Sequence, residues 1–270
     1  MIGAISRYLV LVLCHVLLIN TAFAELHQTD TPTKDVSWAD YKPWVEAWYF
    51  RTARTDNSFS NMIQPRLYVP FTMSGQWKGM TRLDTSFVSN SGPAFRHESG
   101  NEFNPSVTKF TLWAISPEVL TNVTTNVGAR LFLPTGYTQR NYGSTQWGVA
   151  PQAGFTLKKL DIGPLTEFAP LFRYYMGVSS VSTPPTPLGR ALEIYPTFLF
   201  RFSDHWALKV WDQRSITLNA INGKWFIPID GAVYYYFDKH WSVAGGASKQ
   251  LVNDYPQYEW TAYGRIGYHF

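Results

Sequence analysis

The sequence predicts an all-β fold, a transmembrane antiparallel up-and-down β-barrel of twelve strands, and three observations carry that prediction. The first is the last stretch of the chain, Tyr258 to Phe270. Read with period two, Phe270, Tyr268, Ile266, Gly264, Ala262, Trp260 and Tyr258 share one face, and His269, Gly267, Arg265, Tyr263, Thr261 and Glu259 share the other. One face suits hydrocarbon and the other water, and a strand of this length crosses, tilted, a layer about 25 to 30 Å thick. The second is that no apolar run beyond Ala24 approaches the length of a membrane helix, although aromatic residues make up 17% of the chain and occur all along it. With helical spanning excluded, a closed barrel is the remaining way to satisfy every backbone polar group within lipid. The third is the recurrence of alternating runs between turn signals.

The chain opens with Arg7 and the apolar run Tyr8 to Ile19, followed by Asn20-Thr21-Ala22-Phe23-Ala24. Ala22 and Ala24 form an A-x-A cleavage site, so residues 1–24 read as a cleaved signal peptide. The run is too short to persist as a spanning helix. Cys14 falls inside this leader and lacks the small neighbours of a lipidated cysteine, which leaves the mature chain without cysteine. That excludes disulfides, thiolate metal sites and cysteine nucleophiles together. A net charge of +4 and a pI near 9.0 raise nucleic acid as a partner. Lysine and arginine never run beyond two in a row, however, and export argues against that partner.

Residues 25–40 read as an N-terminal periplasmic segment and residues 41–270 as the barrel. Between Trp38 and Arg51 the pattern fits either period: Trp38, Tyr41, Val45, Trp48 and Tyr49 as a helical stripe, or Val45, Ala47 and Tyr49 alternating with Trp44, Glu46 and Trp48 as a strand. Strands then read at 61–71, 78–89, 105–116, 121–134, 144–158, 161–178, 188–203, 206–221, 223–237, 240–251 and 257–270. Single-chain barrels carry an even number with both ends of the chain on the periplasmic side, so residues 41–52 complete twelve; the alternative is ten, with two runs becoming loops. Counting back from Phe270, the connections at 72–77, 117–120, 159–160, 203–205 and 238–240 are periplasmic. Those at 90–104, 135–143, 179–187, 221–224 and 252–256 are external.

Two of the periplasmic turns share a form, Phe202-Ser203-Asp204-His205-Trp206 and Phe237-Asp238-Lys239-His240-Trp241, in which Asp is expected to hydrogen-bond the local backbone. The flanking Phe and Trp belong at the interface. Pro65, Pro151, Pro164, Pro170, Pro196 and Pro228 fall inside the strand runs and are expected at bulges or strand ends, because proline removes a ladder donor.

Placing the apolar face of each strand in lipid puts a definite set of charges inside. Arg66, Arg82, Arg130, Arg173, Arg201, Lys209 and Arg265 supply positive charge there, and Glu46, Asp84, Glu167, Glu193, Asp230 and Glu259 supply negative charge. Inward charge costs little where water or a partner solvates it, whereas Arg or Lys at the lipid midplane costs about 2–4 kcal/mol. Opposed charges that pair across a narrow lumen form a structural plug; segregated on opposite walls, they orient a polar solute at a constriction. Trp48, Tyr68, Tyr175, Tyr195, Tyr234, Tyr236 and Tyr263 face inward as well, where rings fill space or stack on a solute. Lys209, Asp212 and Arg214 do not share one face of the run 206–221, which predicts a bulge there.

His97 stands two residues before Ser99 in a glycine-bearing external loop, a spacing that places a base and a nucleophile on one face of a strand. It resembles the H-x-S element of outer-membrane phospholipases and lipid-A deacylases, but those carry Asn directly after Ser, and Gly100 stands here. His27, His205, His240 and His269 have no ligand-like spacing, and HExxH, phosphate-loop and G-x-S-x-G motifs are absent. No metal or cofactor is expected.

The closing strand is similar to that of bacterial outer-membrane barrels, in which a terminal aromatic residue is read by the barrel-assembly machinery. The resemblance gives Tyr268 and Phe270 that role here and implies outer-membrane lipids and lipopolysaccharide as surroundings. Asn61-Met62-Ile63-Gln64-Pro65-Arg66-Leu67-Tyr68-Val69-Pro70-Phe71, followed by Trp77 and Arg82-Leu83-Asp84, resembles the opening hairpin of an outer-membrane family associated with the phenol meta-cleavage pathway. That family is grouped with channels for aromatic or hydrophobic solutes, so the resemblance implies passive uptake of small molecules rather than enzymatic activity. The residues expected to line the passage are Arg66, Arg82, Asp84, Arg130, Glu167, Arg173, Glu193, Arg201, Asp230, Glu259 and Arg265. The alternatives are a closed barrel acting through its external loops as a structural or adhesion protein, and a lipid hydrolase using His97 and Ser99.

Overall fold

The computed structural model describes residues 42–93, 103–136, 146–181, 187–255 and 257–270. They form thirteen strand segments: β1 (Trp44–Ala53), β2 (Phe59–Thr72), β3 (Lys78–Ser91), β4 (Asn104–Ile115), β5 (Val123–Leu133), β6 (Gln146–Ile162), β7 (Leu165–Ser180), β8 (Arg190–Arg201), β9 (Trp206–Val210), β10 (Ile216–Asn219), β11 (Trp225–Tyr236), β12 (Trp241–Asn253) and β13 (Trp260–His269). Every ladder is antiparallel, and β1 pairs with β13 from Trp44↔His269 to Ala53↔Trp260, which closes the sheet on itself. β9 and β10 both pair with β8 on one side and β11 on the other, so thirteen segments fill twelve positions. The twelve-stranded antiparallel barrel expected from the sequence is the fold observed, with Trp44–Ala53 as its first strand.

Period-two chemistry decides which way each side chain points. Along β11 Phe226, Asp230, Ala232 and Tyr234 are buried while Ile229 and Val233 are exposed, and along β13 Thr261 and Tyr263 are buried while Ile266 is exposed. The same division leaves Ile63, Phe110, Leu112, Val127, Leu131 and Phe172 exposed outside, with Gln64, Asp84, Ser86 and Thr111 buried inside. This inverts the burial of a water-soluble protein, and an apolar outer band with a polar interior is stable where the outer solvent is lipid. At the rim holding the start of β1 and the end of β13, here the terminal rim, rings pack in series. Trp206 lies 4.7 Å from Tyr235, Tyr235 4.9 Å from Phe237, Trp241 4.8 Å from Tyr268, and Tyr268 5.3 Å from Phe270.

The two related turns at this rim are clamps. Asp238 Oδ1 accepts the N–H groups of His240 and Trp241, both at 2.7 Å, and these bonds to the exposed carboxylate hold it below its usual range. In the other turn Ser203 Oγ takes that place, accepting from His205 N at 3.2 Å and Trp206 N at 3.1 Å, so Asp204 is not the turn acceptor the sequence led us to expect. Ser203 is the residue in register with Asp238, each immediately following a Phe. The histidines then tie each turn to the adjacent strand end: His205 Nδ1 meets Tyr236 O at 2.6 Å, and His240 Nδ1 meets His269 O at 2.7 Å.

Three expectations are corrected. The turn expected at 159–160 lies instead between β6 and β7 at Gly163 and Pro164, where Gly163 takes φ 58°, and Lys159 with φ 56° sits in a register shift between Lys158 and Ile162. A Gly-Pro pair makes the sharper reversal, and the polar Lys pair absorbs a bulge. Pro228 stands at a bulge, as expected, but Pro170 and Pro196 stand mid-strand, directly opposite each other. Tyr258, expected to face lipid, is buried instead. It precedes β13, so the strand's alternation does not bind it, and its hydroxyl meets Ser248 Oγ at 2.7 Å. The signal peptide and the segment 25–40 lie outside the described residues.

Candidate functional site: the barrel interior

The ninth position of the barrel is interrupted between Val210 and Ile216, and the break has a cause in its neighbours. On β8 the residues between Ile194 and Phe198 have no ladder partner on this side, and on β11 neither do those between Phe226 and Gly231. Pro196 lies in the first gap and Pro228 in the second, so each neighbour offers one N–H fewer where the strand leaves the sheet. The bulge expected from Lys209, Asp212 and Arg214 is therefore an elbow, Trp211 to Ser215, whose side chains meet those of β1, β2 and β13 across the lumen. Trp211 has φ 53°, a conformation rare for a bulky residue, and three hydrogen bonds hold it. Its N–H donates to Asp230 O at 3.0 Å, its indole Nε1 to Pro228 O at 2.8 Å, and its carbonyl accepts from Thr197 Oγ1 at 2.9 Å.

Asp230 caps the elbow. Its Oδ2 accepts the N–H groups of Gln213 at 3.1 Å and Arg214 at 3.2 Å, and its Oδ1 accepts from Tyr263 OH at 2.8 Å. The elbow then reaches across the interior. Gln213 Oε1 accepts from Arg66 Nη1 at 3.1 Å, although β2 stands five positions from β10 around the barrel. Arg214 Nη2 approaches Thr52 Oγ1 at 3.4 Å and Thr261 Oγ1 at 3.3 Å, and its guanidinium lies 5.1 Å from the Phe50 ring and 5.0 Å from the Tyr258 ring.

The elbow lands on a wall already dense with contacts. Glu46 is its hub, accepting from Arg265 Nη1 at 2.8 Å, Trp48 Nε1 at 2.7 Å and Tyr68 OH at 3.2 Å, with Arg66 Nη1 at 4.0 Å. Arg66 lies over the Trp48 ring at 4.7 Å and Arg265 at 5.9 Å, and Arg265 also donates to Ser242 Oγ. Around them Trp48, Phe50, Ala207, Ala232, Tyr234, Ala244 and Tyr263 form one packed cluster.

The facing wall, from β3 to β8, carries a different arrangement. Arg82 and Asp84 pair along one strand, Nη2 donating to Oδ2 at 2.9 Å and Nε standing 2.8 Å from Oδ1. Arg173 bridges three residues, donating from Nε to Gln152 Oε1 at 2.9 Å and from Nη1 to Glu193 Oε2 at 2.9 Å and Tyr195 OH at 3.2 Å. Between these pairs stands Arg130, 6% exposed, which gives Nε to Thr111 Oγ1 at 2.8 Å while its Nη2 has no hydrogen-bond partner. Gln152 Nε2, on a residue 5% exposed, is likewise unpartnered.

The remaining expected residues lie toward the ends. Glu167 is half-buried opposite Lys158 and Leu199. Arg201 is exposed at the end of β8, 5.9 Å from the Tyr236 ring. Glu259 is half-buried just before β13, and its N–H donates to Ala53 O at 2.8 Å. Tyr268 and Phe270 sit in the terminal-rim series of rings. His97 and Ser99 lie outside the described residues. The residues expected to line the passage did not include Lys109, Gln152, Gln213 or Arg214, nor Glu46, although its inward position was expected. Parity alone would have found Lys109 and Gln152, since Phe110 and Leu112 point outward on β4 and Trp147 and Pro151 point outward on β6.

The sequence matches no family model and no curated protein. Among solved structures the fold is similar to the crystal structure of an outer-membrane channel from Pseudomonas putida F1, with TM-score 0.67 and 12% identity over 90% of this chain and 100% of that one. The KdgM porin in complex with disordered oligogalacturonate matches at TM-score 0.48 and 10% identity over 83% of this chain and 99% of that one. The β domain of the Bordetella autotransporter Brka gives TM-score 0.48 and 10% identity over 85% and 99%. At 12% identity the likeness to the first of these is one of fold, a closed antiparallel barrel of the outer-membrane type.

Proposed function

We propose that the barrel is an outer-membrane channel for passive diffusion of small solutes, aromatic or amphipathic ones among them. The observation that carries this reading is the facing wall, where Arg130 Nη2 and Gln152 Nε2, on residues of the buried inner face, have no protein partners. A barrel selected only for rigidity gains nothing from leaving such groups unpaired, since each costs about 1–3 kcal/mol in desolvation, whereas a passage needs groups that a solute or its water can use. With the elbow against β1, β2 and β13, the path left for a solute follows β4 to β7. In this reading the terminal rim faces the periplasm, the outer band meets outer-membrane lipid and lipopolysaccharide, and the assembly machinery reads Tyr268 and Phe270.

A specific observation also favours the closed-barrel reading: the Gln213–Arg66 bond and the Arg214 contacts cross the lumen and narrow it. Planar-bilayer recording separates the two. Discrete conductance steps are expected for the channel; purified barrel that inserts and gives none sinks it in favour of a closed structural barrel.

A further inference from the structure

The unpartnered donors of the facing wall are grouped, and their grouping names a ligand chemistry. Arg130 pairs in register with Thr111 on one side and Ala150 on the other, and Gln152 pairs with Gly128 and Arg173. The small Ala150 and Gly128 leave the two free donors, Arg130 Nη2 and Gln152 Nε2, on a diagonal with no bulky side chain between them. Lys109 stands one register step from Arg130, directly opposite Phe132, with Nζ 5.9 Å from that ring. Among the described residues no carboxylate comes within 4.0 Å of Arg130 or Lys109; Asp84, opposite Lys109 in register, and Glu193 are engaged by Arg82 and Arg173. Phe132 packs edge-on against Tyr175 at 5.0 Å, one step nearer the far rim than Arg130.

We propose that Lys109, Arg130 and Gln152 form a binding site for an organic monocarboxylate, with Phe132 and Tyr175 receiving its apolar body. A carboxylate matches this set because it is acceptor-only, takes guanidinium and amide donors side by side, and neutralises two cations that otherwise repel. A hydroxyl or a neutral amide meets the donors but leaves the charge uncompensated. A bare inorganic anion meets the charge but leaves the ring pair unused. The inference rests on the channel reading and sharpens it from small solutes to anions with an apolar body, which meet the aromatic pair first when they arrive from the far rim.

The test uses purified full-length barrel with benzoate as probe and benzamide as its neutral, similarly shaped control. In planar bilayers benzoate is expected to reduce chloride current at concentrations about tenfold below those at which benzamide or inorganic phosphate does. Arg130→Gln and Lys109→Gln should each weaken the benzoate block about tenfold and lower the anion preference read from the reversal potential in a salt gradient, while Arg130→Lys restores that preference. Saturation-transfer NMR in detergent reads benzoate binding independently of conductance, and the heat-modifiable gel shift of a folded barrel confirms each variant. Equal block by benzoate and benzamide, or a block that persists in both Gln variants, overturns the site and leaves the channel standing. Equal block by phosphate and benzoate overturns the organic ligand. Benzoate binding lost on Arg130→Gln in a barrel that never conducts overturns the channel and keeps the site.

Discussion

Glu46 on β1 and Arg130 on β5 are both charged, both more than nine-tenths buried and both directed into the same lumen, yet the protein treats them oppositely. Glu46 accepts three side-chain hydrogen bonds and lies within 4.0 Å of two guanidinium groups. Arg130 makes one bond, to a neutral hydroxyl, and keeps an unpartnered nitrogen. A buried ion whose lone pairs are all answered is part of the frame, because removing it strands its partners. A buried ion left half answered keeps a donor that an incoming acceptor can take. The elbow fits this division, since its side chains reach the Glu46 wall while it touches the other only along β8, at Thr197 and Phe198.

The largest difference is expected when each ion is neutralised in turn. Glu46→Gln leaves Arg265 and Arg66 facing each other across Trp48 without an anion, and loss of one partner of a buried pair costs about 3–5 kcal/mol. Arg130→Gln removes a cation from beside other cations and is expected to change stability by less than about 1 kcal/mol. Denaturant midpoints of the folded barrel in lipid vesicles measure both. Equal losses would show that the two walls are built alike.

Asp230 gives the next largest effect, because it joins the elbow to the frame. Asp230→Ala strands the N–H groups of Gln213 and Arg214 and the hydroxyl of Tyr263, a loss of about 2–4 kcal/mol when buried donors go unanswered. With the elbow unpinned, single-channel conductance should rise and become noisier. Gln213→Ala cuts the bond to Arg66 and the amide's bond to Asp212, at about 1 kcal/mol each, but leaves the elbow's backbone capped by Asp230 and should raise conductance less. If conductance is indifferent to both variants, the elbow does not border the path.

The barrel was legible in the sequence because its two solvents are written into alternate positions. From Ile229 and Asp230 on β11 to Ile266 and Arg265 on β13, neighbouring residues differ by the environment they face, and period two follows. The elbow was half legible: Lys209, Asp212 and Arg214 broke parity and signalled a bulge, but its depth depends on Pro196 and Pro228, which flank it from distant strands. The pairing of charges was not legible, since it depends on register. Glu46 meets Arg265 because Glu46↔Gly267 and Trp48↔Arg265 set their diagonal, and nothing within either segment states that offset. Tyr258 misled for the related reason that period two was extended past the end of the strand it describes.

The smallest effect asks how much of the difference between the walls comes from burial and how much from charge, because the terminal rim offers the same comparison in water. Asp238 and Ser203 hold equivalent turns, one with an ion and one without. The carboxyl of Asp238 is held below its usual range by the N–H groups of Trp241 and His240, so the folded turn binds its proton less readily than the unfolded chain. Its contribution is therefore complete above the ordinary carboxylate pKa of about 3.9 and fades as pH falls through the lower folded value. The Ser203 turn has no ionisable acceptor and keeps its hold throughout. Below about pH 4, proteolysis or hydrogen exchange should find the 237–241 turn loosening while the 202–206 turn stays protected. Asp238→Ser should remove that difference without unfolding the barrel. If the two turns respond alike to acid in the native protein, the charge at Asp238 adds nothing that a hydroxyl does not. The contrast between the lumen walls would then owe more to burial than to charge, because it is burial that makes an unanswered ion costly.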